Sequence, residues 1–413
     1  MPTRPYATSV VKRLKSAGHT AYFAGGWVRD YLMQRPSDDI DIATSASVEQ
    51  IQALFPKTIP VGVAFGIVIV VEEGHHFEVA TFRKESGYLD GRRPSSIEPA
   101  SPEEDAQRRD FTVNGLFWDP LSETLYDYVN GQEDLKKGVI RAIGDPHERF
   151  LEDRLRMMRA VRYSTRFDFP IELRTMQAII DHSASLLPAV AMERIWQEFK
   201  KMSQFAHFDQ GLVILHKLNL LPTIFPQLKN VSLKEVQERL APLASYPLKA
   251  PTIAELLELF PDHSLEDLFD LCDYLKLSRD ERDVVRFLYQ AKRMLQMPNA
   301  WQDSLEKLEW AQFYAETLSL ISLQIAAAHL PQDQREVFLQ THEKRRLSLS
   351  RAIDRIREKS PVVRADHLIK EGISPGKKMG VLLKEAERIS VNKGIENPEE
   401  IIQLLKNSTV WNT

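Results

Sequence analysis

The chain has 413 residues, 43% hydrophobic and 27% charged, the balance of a folded globular protein too long for one ordinary core. A net charge of −4 gives no global nucleic-acid signature, so any nucleic-acid surface has to be a local patch. The single cysteine, Cys272, excludes an intramolecular disulfide framework and a cysteine-rich zinc site, and fits a reducing cytoplasmic setting.

In chain order, the start MPTRPYATSVVKRLKSAG is basic but lacks an apolar stretch, so no signal peptide is expected. TAYFAGG, DDIDIAT, GIVIVVEE and HFEVATFR predict strands from their β-branched and aromatic content, and SVEQIQALF after Thr44 and Ser45 predicts a capped helix. The most apolar run, VGVAFGIVIVV, is too short to cross a bilayer and predicts a buried strand. His75 and His76 are expected in a strand turn rather than at a metal. Up to about Ile143 the pattern is that of an α/β or α+β unit. From Pro146 onward apolar residues recur at three- and four-residue spacing, as in FLEDRLRMMRAVRYSTRF, AMERIWQEFKKM and TIAELLELF, so the remainder is predicted to be mostly helical. Residues 206–340 indicate helical packing and nothing more.

Chemistry concentrates in GGWVRDYLMQRPSDDIDIATS, residues 25–45. On a strand, Asp39 and Asp41 project from one face while Ile40 and Ile42 turn into the core, and Asp38 falls on the other face. Two carboxylates on one strand edge repel unless a cation lies between them, and hard oxygen ligands suit Mg2+. Glu78, on another predicted strand, offers a third carboxylate. Taken singly, each signal has a plain structural reading: Gly25–Gly26 as a common turn, the aspartates as a solvated turn, Glu78 as an exposed strand residue. Together they describe a strand ending at a glycine pair, a helix start whose amides and Arg29 would meet a phosphate, and a metal site directed at the same phosphate.

The segment GGWVRD…DDIDIAT resembles the signature of class II nucleotidyltransferases of the polymerase-β superfamily, the tRNA CCA-adding enzymes and bacterial poly(A) polymerases. DGRRP (90–94), RRDFTVNGL (108–116), YDYVNGQEDLKKGVIRAIGDP, EDRLRMMRAVRYSTRF and ERIWQEF resemble the later motifs in order, and GISPGKKMGVLLKEAERI resembles the tRNA-binding tail. The resemblance implies an α+β fold: a nucleotidyltransferase head over 1–143, a helical neck with the nucleotide-recognition helix over 144–205, a helical body over 206–340 and a tRNA-binding tail over 341–413. It further implies Mg2+ on Asp39 and Asp41, triphosphate contacts from Gly26, Arg29 and Arg109, and nucleotide contacts from Asp153, Arg156, Arg159 and Arg162. The partners implied are tRNA, CTP and ATP.

Read as one helix, EDRLRMMRAVRYSTR puts Asp153, Arg156, Arg159 and Arg162 on one stripe beside a core-facing stripe of Leu155, Met158 and Val161. A solvated face with one ion pair is the plain reading. The alternative is an anionic partner, which would relieve the repulsion among these cations. Cytosine and adenine both present an amino donor beside a ring-nitrogen acceptor, so a carboxylate and a guanidinium would read them and reject uracil and guanine. The placement of that pair beside the metal is implied by the resemblance. Asp110 is expected to orient Arg109 or the backbone. Between Thr341 and Lys384 basic residues outnumber acidic ones, Lys344, Arg351, Lys377 and Lys378 among them, which suits phosphate-backbone contact. The function expected is CCA addition to tRNA. Poly(A) synthesis, addition of the terminal A alone and non-catalytic RNA binding remain as alternatives.

Overall fold

A computed structural model describes residues 3–88, 94–296 and 304–412. Two compact units divide the chain, Met1–Glu238 and Arg239–Thr413.

The first unit carries nine strands among its described residues: β1 (Ala21–Ala24), β2 (Asp41–Thr44), β3 (Thr58–Ile59), β4 (Ile67–Glu72), β5 (His75–Thr81), β6 (Arg83–Tyr88), β7 (Pro94–Pro99), β8 (Leu116–Asp119) and β9 (Thr124–Asp127). Seven form a mixed sheet in the order β3-β4-β5-β2-β1-β8-β9, and β6 pairs with β7 separately. Among these strand pairings only β2–β5 is parallel. Helices α1 (Arg4–Ser16), α2 (Gly26–Leu32) and α3 (Val48–Leu54) belong to this sheet, followed by α4 (Pro102–Gln107), α5 (Gly131–Lys137), α6 (Pro146–Glu152), α7 (Leu155–Phe167) and α8 (Leu173–His182).

All four residues of β1 are buried, because both faces of the sheet are covered. Ala21 and Phe23 join Val10, Val11 and Leu14 of α1 and Ile51 of α3 in one core, while Tyr22 and Ala24 join Phe82, Phe117 and Ile143 in another. The period-two alternation of a strand thus feeds two cores at once.

Local chemistry corrects three sequence-based boundaries. The cap of α3 is Ser47, in a reciprocal capping box with Gln50, whereas Thr44 ends β2 and Ser45 follows it. His75 and His76 open β5 after the turn at Gly74, and the His75 ring stacks on Tyr6 at 4.5 Å. The long helix expected through FLEDRLRM breaks: Asp153 is extended (φ −143°, ψ 105°) and its Oδ1 accepts from the Leu155 amide at 3.1 Å. A short carboxylate competes with the helix for backbone donors and starts a new one instead.

Among its described residues the second unit contains helices joined by loops and no strand. One of its cores gathers Trp310, Tyr314, Leu349 and Ile353, and another gathers Leu368, Met379, Leu382 and Ile401. The expected body–tail division at 340/341 falls inside the helix Gln332–Ser348. No helix among the described residues is long and apolar enough to cross a membrane.

Candidate active site

A cavity of about 780 Å3 in the first unit is lined by Gly25, Gly26, Arg29, Asp39, Asp41, Glu78, Arg109, Asp153, Arg156 and Arg159. The structure therefore brings together every sequence-expected site residue except Arg162, along with Arg83, Arg108, Asp110, Asn114, Arg166 and Arg194. Asp38 stays outside and accepts from the Thr3 hydroxyl. Residues 90–93 of DGRRP lie outside the described residues.

Gly25 ends β1 at φ 66°, ψ −123°, a conformation open to glycine, and a Cβ there would sit 2.9 Å from Arg109 Nη1. The turn therefore needs glycine twice over, for its backbone and for the guanidinium it admits. Ile40 and Ile42 are buried, which directs Asp39 and Asp41 into the cavity. Ile42 pairs with Val79, so Asp41, one residue earlier, lies beside Glu78 on the neighbouring strand. The Asp41 carboxylate reaches the cavity's solvent, yet the walls around it displace most of the bulk water. That desolvation, then Glu78 and Asp39, push its carboxyl up to about 7 against the pull of Arg109.

The arginines are fixed by buried acids. Asp105 grips Arg108 (2.8 Å) and Arg109 (3.0 Å), three and four residues on. Burial opposes its charge, but the two guanidiniums hold its carboxyl below the usual range. Arg29 Nη1 donates to Asn114 Oδ1 at 2.5 Å and its Nε to Asp30 Oδ1 at 2.9 Å, and its guanidinium lies 4.6 Å from the centre of the Phe167 ring. Arg156 bonds Glu152 (2.6 Å) and the carbonyls of Arg149 and Arg108. Arg159 grips Asp110 Oδ2 through Nη2 (2.5 Å) and Nε (2.8 Å). Asp110 is deeply buried, yet the Arg159 charge and the Asn114 amide keep it far below the usual carboxylate range. Asp110 thus holds Arg159 and accepts from the Phe111 amide at 2.8 Å, which meets the backbone half of the expectation; Arg109 is held by Asp105 instead.

Arg162 points elsewhere: its Nε donates to Glu198 Oε2 at 2.6 Å, with both side chains buried. Asp153 pairs with Arg194 at 3.1 Å, so it does not stand on one helical stripe with Arg156. Sequence reasoning missed Asp105, Asn114 and Arg194. The spacing of Asp105 from Arg108 and Arg109 was an available signal, and Arg194 stands within the ERIWQEF motif.

Comparison with known proteins agrees with this geometry. The family description "Poly A polymerase head domain" matches residues 21–141, and "Probable RNA and SrmB- binding site of polymerase A" matches residues 168–231. A CCA-adding enzyme of Pediococcus pentosaceus is 35% identical over 405 residues, covering 95% of this chain and 94% of its own. One of Anoxybacillus flavithermus is 46% identical over 243 residues, 59% of either chain. The solved Bacillus stearothermophilus CCA-adding enzyme in complex with CTP superposes with a TM-score of 0.80 at 30% identity, over 98% of both chains. The Thermotoga maritima CCA-adding enzyme complexed with tRNA shares the fold at 21% identity, with a TM-score of 0.66 over 97% of this chain and 94% of its own. A relative more than 30% identical along nearly the whole of both chains decides the matter: the chain belongs to the family of CCA-adding enzymes.

Proposed function

We propose that this chain adds CMP and AMP from CTP and ATP to the 3′ end of tRNA, without a nucleic-acid template. The observation that carries the reading is the sharing of one cavity by Asp39, Asp41 and Glu78 with a set of arginines held by internal acids. Carboxylates short of countercharge beside guanidiniums suit a metal-bound triphosphate.

Asp39 and Asp41 would hold a divalent cation, with Mg2+ favoured by hard oxygen donors. Among the described residues no three ligating side chains close on one point, and Mg2+ is commonly held by one or two carboxylates with substrate phosphates completing the shell. The raised Asp41 carboxyl is where a dication would supply missing positive charge. When bound, the ion polarises the phosphoryl group and neutralises charge that develops in transfer. Gly25 and Gly26 keep the backbone close to the triphosphate, and Arg29 and Arg109 take up its charge. Glu78 adds a carboxylate able to receive the proton of the attacking 3′-hydroxyl. Asp153 and Arg156 would read the amino group and ring nitrogen shared by C and A, and Arg159 would position the nucleotide.

The chain would divide into head, neck, body and tail near residues 143, 205 and 340, with tRNA bound by the tail. Exposed Lys370, Lys377 and Lys378 there suit phosphate contact. A tRNA substrate and a single cysteine suit the cytoplasm.

The test supplies Mg2+ and a tRNA ending before CCA, with CTP and ATP separately and together. Incorporation of C and then A is expected. Long A tails would replace the reading by poly(A) synthesis, and A added only to a CC-ended tRNA would replace it by terminal A addition.

A further inference from the structure

We propose that Asn114 is a positioning residue that ties Arg29 to Arg159 through Asp110, so that one buried amide sets both arginines toward an incoming nucleotide. The proposal rests on the nucleotide-binding reading of Arg29 and Arg159 given above.

Asn114 is 6% exposed at the end of the short 3-10 turn Thr112–Asn114. Its Oδ1 accepts from Arg29 Nη1 at 2.5 Å, and its Nδ2 donates to Asp110 Oδ1 at 2.9 Å. The other oxygen of Asp110 holds Arg159. Arginine can only donate and an ionised carboxylate can only accept, so the link between them has to accept at one end and donate at the other. An amide does this with two different atoms on a short stem. The Asn114 carbonyl also accepts from Arg109 Nη1 at 3.2 Å, so three arginines of the cavity are placed relative to this one residue.

A second arm closes the circuit. Arg166 Nη2 donates to Asp30 Oδ2 at 2.9 Å, and the other oxygen of Asp30 accepts from Arg29. Arg159 and Arg166 lie seven residues apart on α7, two turns along the same side. Helix α7 is therefore pinned at both positions to a frame built from α2 and the RRDFTVN segment. Three guanidiniums (Arg29, Arg159, Arg166) face two carboxylates (Asp30, Asp110), which leaves one positive charge over for an anionic ligand. A network fixed before the nucleotide arrives needs little reorganisation during transfer.

The test compares Asn114→Ala, Arg159→Ala and the double variant by KM and kcat for CTP and ATP on a tRNA ending before CCA, with melting temperatures alongside. Asn114→Ala should raise KM for both nucleotides by about ten- to a hundredfold, with a smaller change in kcat. The double variant should be no worse than the poorer single one, because both break the same link. If Asn114→Ala does not fold, the isosteric Asn114→Asp takes its place, since it keeps the acceptor for Arg29 and turns the donor to Asp110 into another acceptor. A normal KM in the Asn114 variant, or effects that add in full, would overturn the coupling. An Arg159→Ala enzyme unchanged in KM, kcat and base choice would instead overturn the nucleotide-binding reading beneath it.

Discussion

Asp41 and Glu78 stand side by side across the parallel pairing of β2 and β5, and with burial and Asp39 this neighbour holds the Asp41 carboxyl at about 7. An unfolded aspartate titrates near about 3.9. The folded chain without cation therefore binds this proton more tightly than the unfolded chain does, and the group costs stability as pH rises from about 4 to 7. Asp41→Asn should raise the melting temperature at pH 8, on the order of 2 °C, and change little at pH 4. Nucleotide addition should be lost in the same variant. Calorimetry at the two pH values checks this, and a lowered melting temperature at pH 8 would contradict it.

The same proton competes with the metal. Affinity for Mg2+ or Mn2+ should fall about tenfold for each pH unit below 7 and level off above it, because binding displaces one proton. Titration calorimetry at pH 6 and pH 8 measures the difference. Equal affinities would remove Asp41 from the ligand set.

Arg162 and Glu198 form a buried ion pair behind the cavity. Arg162→Ala leaves a carboxylate buried without its main partner, a loss of about 3–5 kcal/mol. Base choice should survive, since Arg162 does not line the cavity. Denaturant unfolding and the CTP-to-UTP ratio of kcat/KM separate the two effects. A stable variant with altered selectivity would return Arg162 to the nucleotide site.

Arg156→Ala should erode discrimination against UTP and GTP by about ten- to a hundredfold, the worth of one charged hydrogen bond. Arg194→Ala should act in the same direction, because Arg194 is the ion-pair partner of Asp153. Comparing kcat/KM for all four triphosphates tests both. Uniform slowing across the bases would reduce Arg156 to structural support.

Removing the tail from Thr341 would cut the helix Gln332–Ser348 and strip Leu349 and Ile353 from a core, so charge reversal is the cleaner probe of RNA binding. Lys377→Glu with Lys378→Glu should weaken tRNA binding and flatten its salt dependence, by about one in slope for each phosphate no longer neutralised. ATP affinity should stay the same. Unchanged tRNA affinity at matched salt would move the RNA surface elsewhere.

What could be read from the sequence was whatever acts at short range. Ile40 and Ile42 alternate with Asp39 and Asp41, so the direction of the carboxylates followed from period two, and the family motifs located the head. The break at Asp153 was hidden because Leu155, Met158 and Val161 keep an unbroken helical rhythm beyond it, while the break itself rests on one extended residue and the bond its side chain accepts from the Leu155 amide. The partners of the arginines were hidden for another reason. Asn114 meets Arg29 across 85 residues and Glu198 meets Arg162 across 36, and no local pattern encodes such meetings. Charge stripes reveal where cations lie on a helix, not which acids will claim them.

The double coverage of β1 has a consequence for how activity is lost. Its four residues lie between two cores and end directly at Gly25, so the amide hydrogens of this strand should exchange with deuterium only through opening of the whole head. The turn beside the carboxylates then has no independent way to loosen. Heat inactivation and the slowest exchanging amides should report the same event, and a partly melted head with a working site should not accumulate.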